Sequence, residues 1–222
     1  MIKLAIFDLD GTLVNSLDDL ANATNYALKK HNYPTHELAK YRYFVGDGVP
    51  MLIKRALPQE FSNDETVLAV KKDFSEYYNK NYAIKTRPYD GILDLIKALK
   101  SDGIKIAVAS NKPDNFTKEI VKIFFKADFD FAQGNTEIIP KKPSPEIVFA
   151  AQNAIGATKS ETVFVGDTNV DIYTAKAANV TSIGCLWGFR EYNELSEARA
   201  DYIISKPMEI YKIIKDINLG GE

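Results

Sequence analysis

Five short apolar runs constrain the fold of this chain more than any other feature: Lys3 to Phe7, Ile104 to Ala109, Thr162 to Val165, Val180 to Cys185 and Tyr202 to Ile204. Runs of this length and character read as buried strands, most of them candidates for a parallel sheet. Helical patterns lie between them. The clearest sets Ile92, Leu95, Ile96 and Leu99 on one face and ends near Asp102-Gly103. A second opens at Pro113 and runs to about Phe125, a third spans about Pro145 to Ile155, and a last follows Lys206-Pro207. Strand alternating with helix from about residue 86 onward is the pattern of an α/β, doubly wound parallel sheet.

The interval from Ser16 to Ala83 breaks that rhythm, with helical stretches near Leu17 to His31, Val49 to Leu57 and Asp64 to Tyr82 and no convincing strand. The expected organisation is therefore a core of residues 1–15 and 84–222 carrying an all-helical insertion at 16–83. His31 and His36 fall in the insertion and read as exposed loop histidines. A chain of 222 residues with 45% hydrophobic content can bury such a core. The net charge of −2, without a basic run longer than two, offers nothing to nucleic acid or an anionic membrane. The lone Cys185 excludes an internal disulfide and a cysteine metal cluster and reads as a buried, inert thiol. With no signal peptide or membrane-spanning run in view, a cytoplasmic location is expected, and Leu219-Gly220-Gly221-Glu222 reads as a frayed tail.

Chemistry enters where the first run gives way to Asp8-Leu9-Asp10-Gly11-Thr12. Side chains two apart on an extended backbone point the same way, so Asp8 and Asp10 can approach one ligand, although a surface pair before a turn glycine would look the same. Three more groups follow: Ser110-Asn111-Lys112, also a plausible helix start; Lys142-Pro143-Ser144-Pro145, also a plausible solvated turn; and Gly166-Asp167-Thr168-Asn169-Val170-Asp171, where Asp167 alone could be a helix cap. All four are expected at the carboxyl ends of strands, where open α/β sheets bind ligands. Oxygen ligands without nearby histidine or cysteine suit Mg²⁺ rather than zinc. A carboxylate attacking a phosphate ester meets a repulsion of about 4 kcal/mol at about 4 Å and an effective dielectric of about 20. A metal ion and Lys142 would counter it, with Thr12 and Ser110 as donors to the transferring group.

These four segments resemble the four motifs of the haloacid dehalogenase superfamily, specifically its Mg²⁺-dependent phosphatases, over nearly the whole chain. The resemblance implies a Rossmann-like core and a mobile helical cap. It implies Asp8 as nucleophile and Asp10 as acid/base, with Lys142 neutralising the phosphoryl group, Thr12 and Ser110 binding it, and Asn111 a further candidate to contact substrate. Asp8, the Asp10 carbonyl and Asp167 would ligate Mg²⁺, and Asp171 would support the metal shell. The carboxylate of Asp10 favours phosphoryl transfer over dehalogenation. Arg42-Tyr43-Phe44-Val45-Gly46-Asp47-Gly48-Val49-Pro50 resembles the cap segment of phosphoglycolate phosphatases, and Asn111-Lys112-Pro113 and the Ile183 to Gly188 run ending in Trp187-Gly188 resemble later stretches of that subfamily. Arg42 and Gly46 are thus candidates to contact substrate, while a cap-surface arginine is an equal alternative. Asn15-Ser16 departs from the subfamily's usual Asp-Ser, and Lys141 stands as a one-residue alternative to Lys142. Trp187 and Arg190 are candidates to shape the site entrance or simply to pack.

The implied partner is a small phosphate ester, with 2-phosphoglycolate the best guess, for a monomer or homodimer that binds neither nucleic acid nor membrane. Alternatives are a β-phosphoglucomutase-type phosphotransferase, a pyrophosphatase or nucleotidase, and, with little weight, a non-catalytic phospho-aspartate switch resembling a response-regulator receiver.

Overall fold

The computed structural model describes residues 1–126 and 128–220, so Gly221 and Glu222 of the expected tail lie outside it. The chain opens with β1 (Leu4–Phe7) and β2 (Val14–Asn15), then forms α1 (Leu17–Lys30), α2 (Leu38–Phe44), α3 (Val49–Ala56) and α4 (Asp64–Asn81). It returns through β3 (Arg87–Pro88), which pairs with β2. Then come α5 (Ile92–Ser101), β4 (Lys105–Pro113), α6 (Asp114–Phe125), β5 (Phe131–Asn135), α7 (Glu146–Ile155), β6 (Thr162–Gly166), α8 (Asn169–Ala178), β7 (Thr181–Cys185), α9 (Tyr192–Glu197), β8 (Tyr202–Ile204) and α10 (Met208–Asn218). Two compact units result: Met1–Val14 with Pro88–Glu222, and Asn15–Arg87. Among the described residues, no helix is long and apolar enough to cross a membrane.

The first unit is built on a parallel sheet in the order β5-β4-β1-β6-β7-β8. β1 is wholly buried and sits between β4 and β6, with Ile6 in register with Ala107 on one side and Phe164 on the other. The connections run outward from β1 through β4 to β5, then cross back to lay down β6, β7 and β8. That reversal opens a crevice beyond the carboxyl end of β1. On one face, Ile147, Val148 and Ala151 of α7 and Ala175 and Ala178 of α8 pack on Leu4, Ile6, Ala107, Ala109 and Phe164.

The five expected strands are β1, β4, β6, β7 and β8. β4 runs on through Ser110-Asn111-Lys112, its pairing with β5 irregular between Ala109 and Pro113. β5 goes beyond the expected set: Phe-Ala-Gln-Gly-Asn is an edge strand only partly buried, so it carries no apolar run. α8 is also additional, because Ile172, Thr174, Ala175 and Ala178 are buried around it and no single apolar stripe marks it.

In the helical unit, Val67, Val70, Phe74 and Tyr78 recur at helical spacing along α4 and are buried where it packs on α1. Asn63 caps α4 by accepting from Thr66 N at 2.9 Å. Asp19 is buried in the first turn of α1. It accepts from the backbone N–H groups of Lys85 and Thr86 at 2.9 and 2.8 Å and from Thr86 Oγ1 at 2.8 Å, which binds the returning segment to this unit. The two histidines lie between α1 and α2 as loop residues, but their expected exposure is corrected, since both are half-buried and bonded. His31 Nε2 lies 2.7 Å from Asp73 Oδ2, and His36 Nε2 lies 2.7 Å from Ala56 O with its ring edge-on to Phe44.

Candidate active site

The backbone N–H of Asp8 still donates to Val165 O of β6 at 2.9 Å, which places the Asp8 carboxylate at the mouth of the crevice. The chain then turns through Gly11 at φ +92°, a conformation that favours glycine. Space forbids a side chain there as well, since a Cβ on Gly11 would lie 2.3 Å from Asp167 Oδ2. Gly166 and Gly188 are confined in the same way: a Cβ would come within 2.2 Å of Asp171 Cβ at the first and 2.3 Å of Asp167 Cβ at the second. Bare backbone thus walls both carboxylates.

Asp167 and Asp171 leave β6 on the turn into α8 and serve different partners. Asp167 Oδ1 accepts from Thr12 Oγ1 at 3.1 Å and Oδ2 from Phe189 N at 2.8 Å. Asp171 is the third residue of α8 and completes a capping box, its Oδ2 accepting from Thr168 N at 3.0 Å and Thr168 Oγ1 at 2.8 Å. The cap leaves Oδ1 facing Lys142, whose Nζ donates to it at 2.7 Å. The same Nζ is 2.8 Å from Asp8 Oδ1, as an ion pair without the alignment of a directed hydrogen bond. Asp171 therefore holds Lys142 with both of its oxygens engaged.

Lys142 arrives on the long connection between β5 and α7, which has no sheet partner to hold it. Asn111 of β4 takes that part: its Oδ1 accepts from Lys142 N at 2.8 Å and its Nδ2 donates to Lys142 O at 3.1 Å. Asn111, a candidate to contact substrate, clamps the lysine backbone in this structure. Lys141 is exposed, whereas Lys142 is buried with its Nζ 5.5 Å from the centre of the Phe164 ring.

Thr12 is held from two sides. Its buried hydroxyl gives its single proton to Asp167, while its carbonyl accepts from Trp187 Nε1 at 2.9 Å, which gives Trp187 a bracing role. Arg190 is buried and pairs through Nε with Glu194 Oε2 at 3.1 Å. Asp10 is held by Lys112, to which its motif alone assigns no role and whose Nζ lies 3.0 and 3.1 Å from the two oxygens. The signal was available in the strand period, because Ser110 and Lys112 lie two apart and share a side; Lys112 N donates to Ser110 Oγ at 3.3 Å. Arg42 lies in α2 and Gly46, at φ +130°, just beyond it, both in the helical unit.

Burial dominates the electrostatics. It pushes Asp8 from its ordinary 3.8 up to about 6, against the lowering pull of Lys142 and with further raising by Asp171 and Asp10. Asp167 is raised well above the usual carboxylate range by burial and then by Asp171 and Asp8, the Phe189 N–H opposing. For Lys142, burial alone would lower the pKa, but the carboxylates of Asp171 and Asp8 outweigh it and the net direction is up. Cys185 is a buried thiol raised well above its ordinary value, chiefly by burial, as expected of an inert cysteine.

Carboxylate oxygens of Asp8, Asp167 and Asp171 lie within 4.8 Å of one another, and among the described residues the buried Asp8 Oδ1 meets the Lys142 ammonium without a directed hydrogen bond. Three acids around one ammonium are short of positive charge, and an all-oxygen donor set suits a hard divalent cation. The residues present therefore fit such an ion.

A family model described as haloacid dehalogenase-like hydrolase matches residues 5–185. The phosphoglycolate phosphatase of Aquifex aeolicus (strain VF5) is 31% identical over 214 residues, spanning 96% of this chain and 97% of that protein. That of Mannheimia succiniciproducens is 32% identical over 220 residues, spanning 96% and 98%. A solved structure from Lactobacillus delbrueckii subsp. bulgaricus superposes with a TM-score of 0.91 at 31% identity, covering 96% of this chain and 98% of that one. The chain belongs to the haloacid dehalogenase-like hydrolases, as a phosphoric monoester hydrolase of their phosphoglycolate phosphatase-like group.

Proposed function

We propose that this chain hydrolyses a small phosphate monoester with the help of Mg²⁺ and through an aspartyl-phosphate on Asp8, and that 2-phosphoglycolate is its substrate. One observation carries the reading: the buried Lys142 ammonium bridges Asp8 and Asp171 at 2.8 and 2.7 Å, beside a third carboxylate, Asp167. A carboxylate that attacks an anion needs such a countercharge, and two relatives that align along almost their whole length are named phosphoglycolate phosphatase.

In this reading Asp8 attacks phosphorus and its new O–P bond forms as the ester bond breaks. Asp10 gives a proton to the leaving oxygen. It then takes one from water, whose oxygen attacks phosphorus and releases inorganic phosphate from Asp8, so the proton count closes over a turnover. Ser110 donates to a phosphoryl oxygen. Thr12 and Asn111 act at one remove, fixing Asp167 and Lys142. Asp8, Asp167 and the Asp10 carbonyl would hold Mg²⁺, which when bound supplies countercharge to the phosphoryl oxygens. Arg42 of the helical unit is the proposed partner of the substrate carboxylate.

The test is phosphate release by metal-stripped protein, with and without added Mg²⁺, from 2-phosphoglycolate, pyrophosphate, nucleotides and sugar phosphates. Expected are Mg²⁺ dependence, preference for 2-phosphoglycolate, and labelled phosphate trapped on Asp8. Isomerised sugar without free phosphate, a better substrate elsewhere in the panel, or a phosphoenzyme that persists for hours without turnover would overturn it.

A further inference from the structure

Lys112 is a second buried ammonium in the crevice, and it serves a different partner from Lys142. Its Nζ donates to both oxygens of Asp10, and only 3% of the lysine side chain and 12% of the aspartate's are exposed. Enclosing an ammonium forfeits hydration that only a well-placed partner offsets, so a lysine in this position is not the exchangeable pair of a protein surface. The two residues also differ in what holds them. Lys112 lies near the carboxyl end of β4, between the paired residues Ala109 and Pro113, whereas Asp10 lies on the turn between β1 and β2. The strand can fix the turn residue. β4 alternates its side chains, so Asn111 reaches Lys142 on one side while Lys112 reaches Asp10 on the other.

We infer that Lys112 is a positioning residue that acts through Asp10, holding both carboxylate oxygens in the orientation from which Asp10 takes a proton from water. The inference rests on the acid/base role proposed for Asp10. In that cycle Asp10 is a carboxylate only after the leaving group has taken its proton, that is, while the Asp8–phosphorus bond is hydrolysed. A grip on both oxygens matches this half-reaction, because a protonated carboxyl would turn its own hydrogen toward an ammonium that can only donate. Lys112 therefore bears on phosphoenzyme hydrolysis more than on phosphoenzyme formation.

Rapid-mixing kinetics with p-nitrophenyl phosphate separate the two halves, since p-nitrophenolate leaves without a proton. For Lys112→Met we expect a burst approaching one equivalent of p-nitrophenolate per site, then a steady rate roughly 10- to 100-fold below wild type, short of a full acid–base contribution. Lys112→Arg, which keeps a cation able to meet two oxygens, should recover most of the rate and show that the loss was not one of folding. Asp10→Asn should also burst, and adding Lys112→Met to it should slow it no further. A slower rate without a burst in Lys112→Met, additive losses in the double variant, or a raised KM for 2-phosphoglycolate at unchanged kcat would each overturn the inference while leaving Asp10 in its role. An Asp10→Asn enzyme without a burst would instead remove the acid/base reading on which the inference stands.

Discussion

The two units bury carboxylates in opposite company. In the helical unit, Asp19 is the one buried charged side chain among the described residues, and it is surrounded by donors: two backbone N–H groups and a threonine hydroxyl. In the sheet unit, Asp8, Asp167 and Asp171 crowd one another around Lys142. A carboxylate encircled by N–H groups is at rest and ties backbone together. Crowding by other acids adds to burial in raising Asp8 and Asp167, and Asp8 stays open to a cation or an electrophile. Burial of charge is thus structural in one place and chemical in the other, and the company distinguishes them.

The largest effect should come from removing the proposed nucleophile. Asp8→Asn is expected to lower turnover by about 10⁴-fold or more with an unchanged circular-dichroism spectrum, the scale typical of a deleted covalent catalyst. Retained activity would dissolve the contrast, leaving Asp8 as structural as Asp19. Asp19→Ala should do the reverse: a loss of about 3 kcal/mol in denaturant unfolding, from stranded N–H groups, with 2-phosphoglycolate turnover per folded molecule little changed. Asn111→Ala tests whether a rest-type contact can serve the chemical site. It frees the Lys142 backbone but not its ammonium, so kcat should fall roughly tenfold to hundredfold, the cost of slight misplacement, alongside a stability loss of about 1–3 kcal/mol from the stranded Lys142 backbone groups.

The smallest effect is one of pH. Asp8 is raised from 3.8 to about 6, so the folded chain holds a proton that the unfolded chain has released in that interval. Its contribution to stability is fully present below about 3.8 and is lost as pH rises through about 6. In chelator, Asp8→Asn should therefore gain a few degrees of melting temperature over wild type between pH 4 and pH 7. A difference that stays flat across the window would mean that Asp8 is not strained by its neighbours.

The sheet was legible where strands are covered on both faces, because β1, β4, β6 and β7 must then be nearly all apolar. Edge position hid β5. α2 was hidden too, since only Tyr41 of its seven residues is buried and no stripe repeats. The acids could be listed from their places near strand ends and Lys142 from the prolines beside it, and the fold brings Asp8, Lys142, Asp167 and Asp171 together. Partners inside the site were not legible. Thr12 and Asn111 have the chemistry to bind a phosphoryl group, but sequence does not say that Asp167 and the Lys142 backbone claim them first. Lys112 was passed over because most lysines lie in water.

The three glycines that wall the acids change what it would take to transplant this site. Gly11, Gly166 and Gly188 leave no room for even one carbon beside Asp167 or Asp171. A designer who grafted only the acids and lysines onto another sheet would find main chain too far away or side chains in the way. The portable unit is a set of loops with their bare stretches intact, and in a saturation scan those glycines should tolerate as little as the aspartates they face.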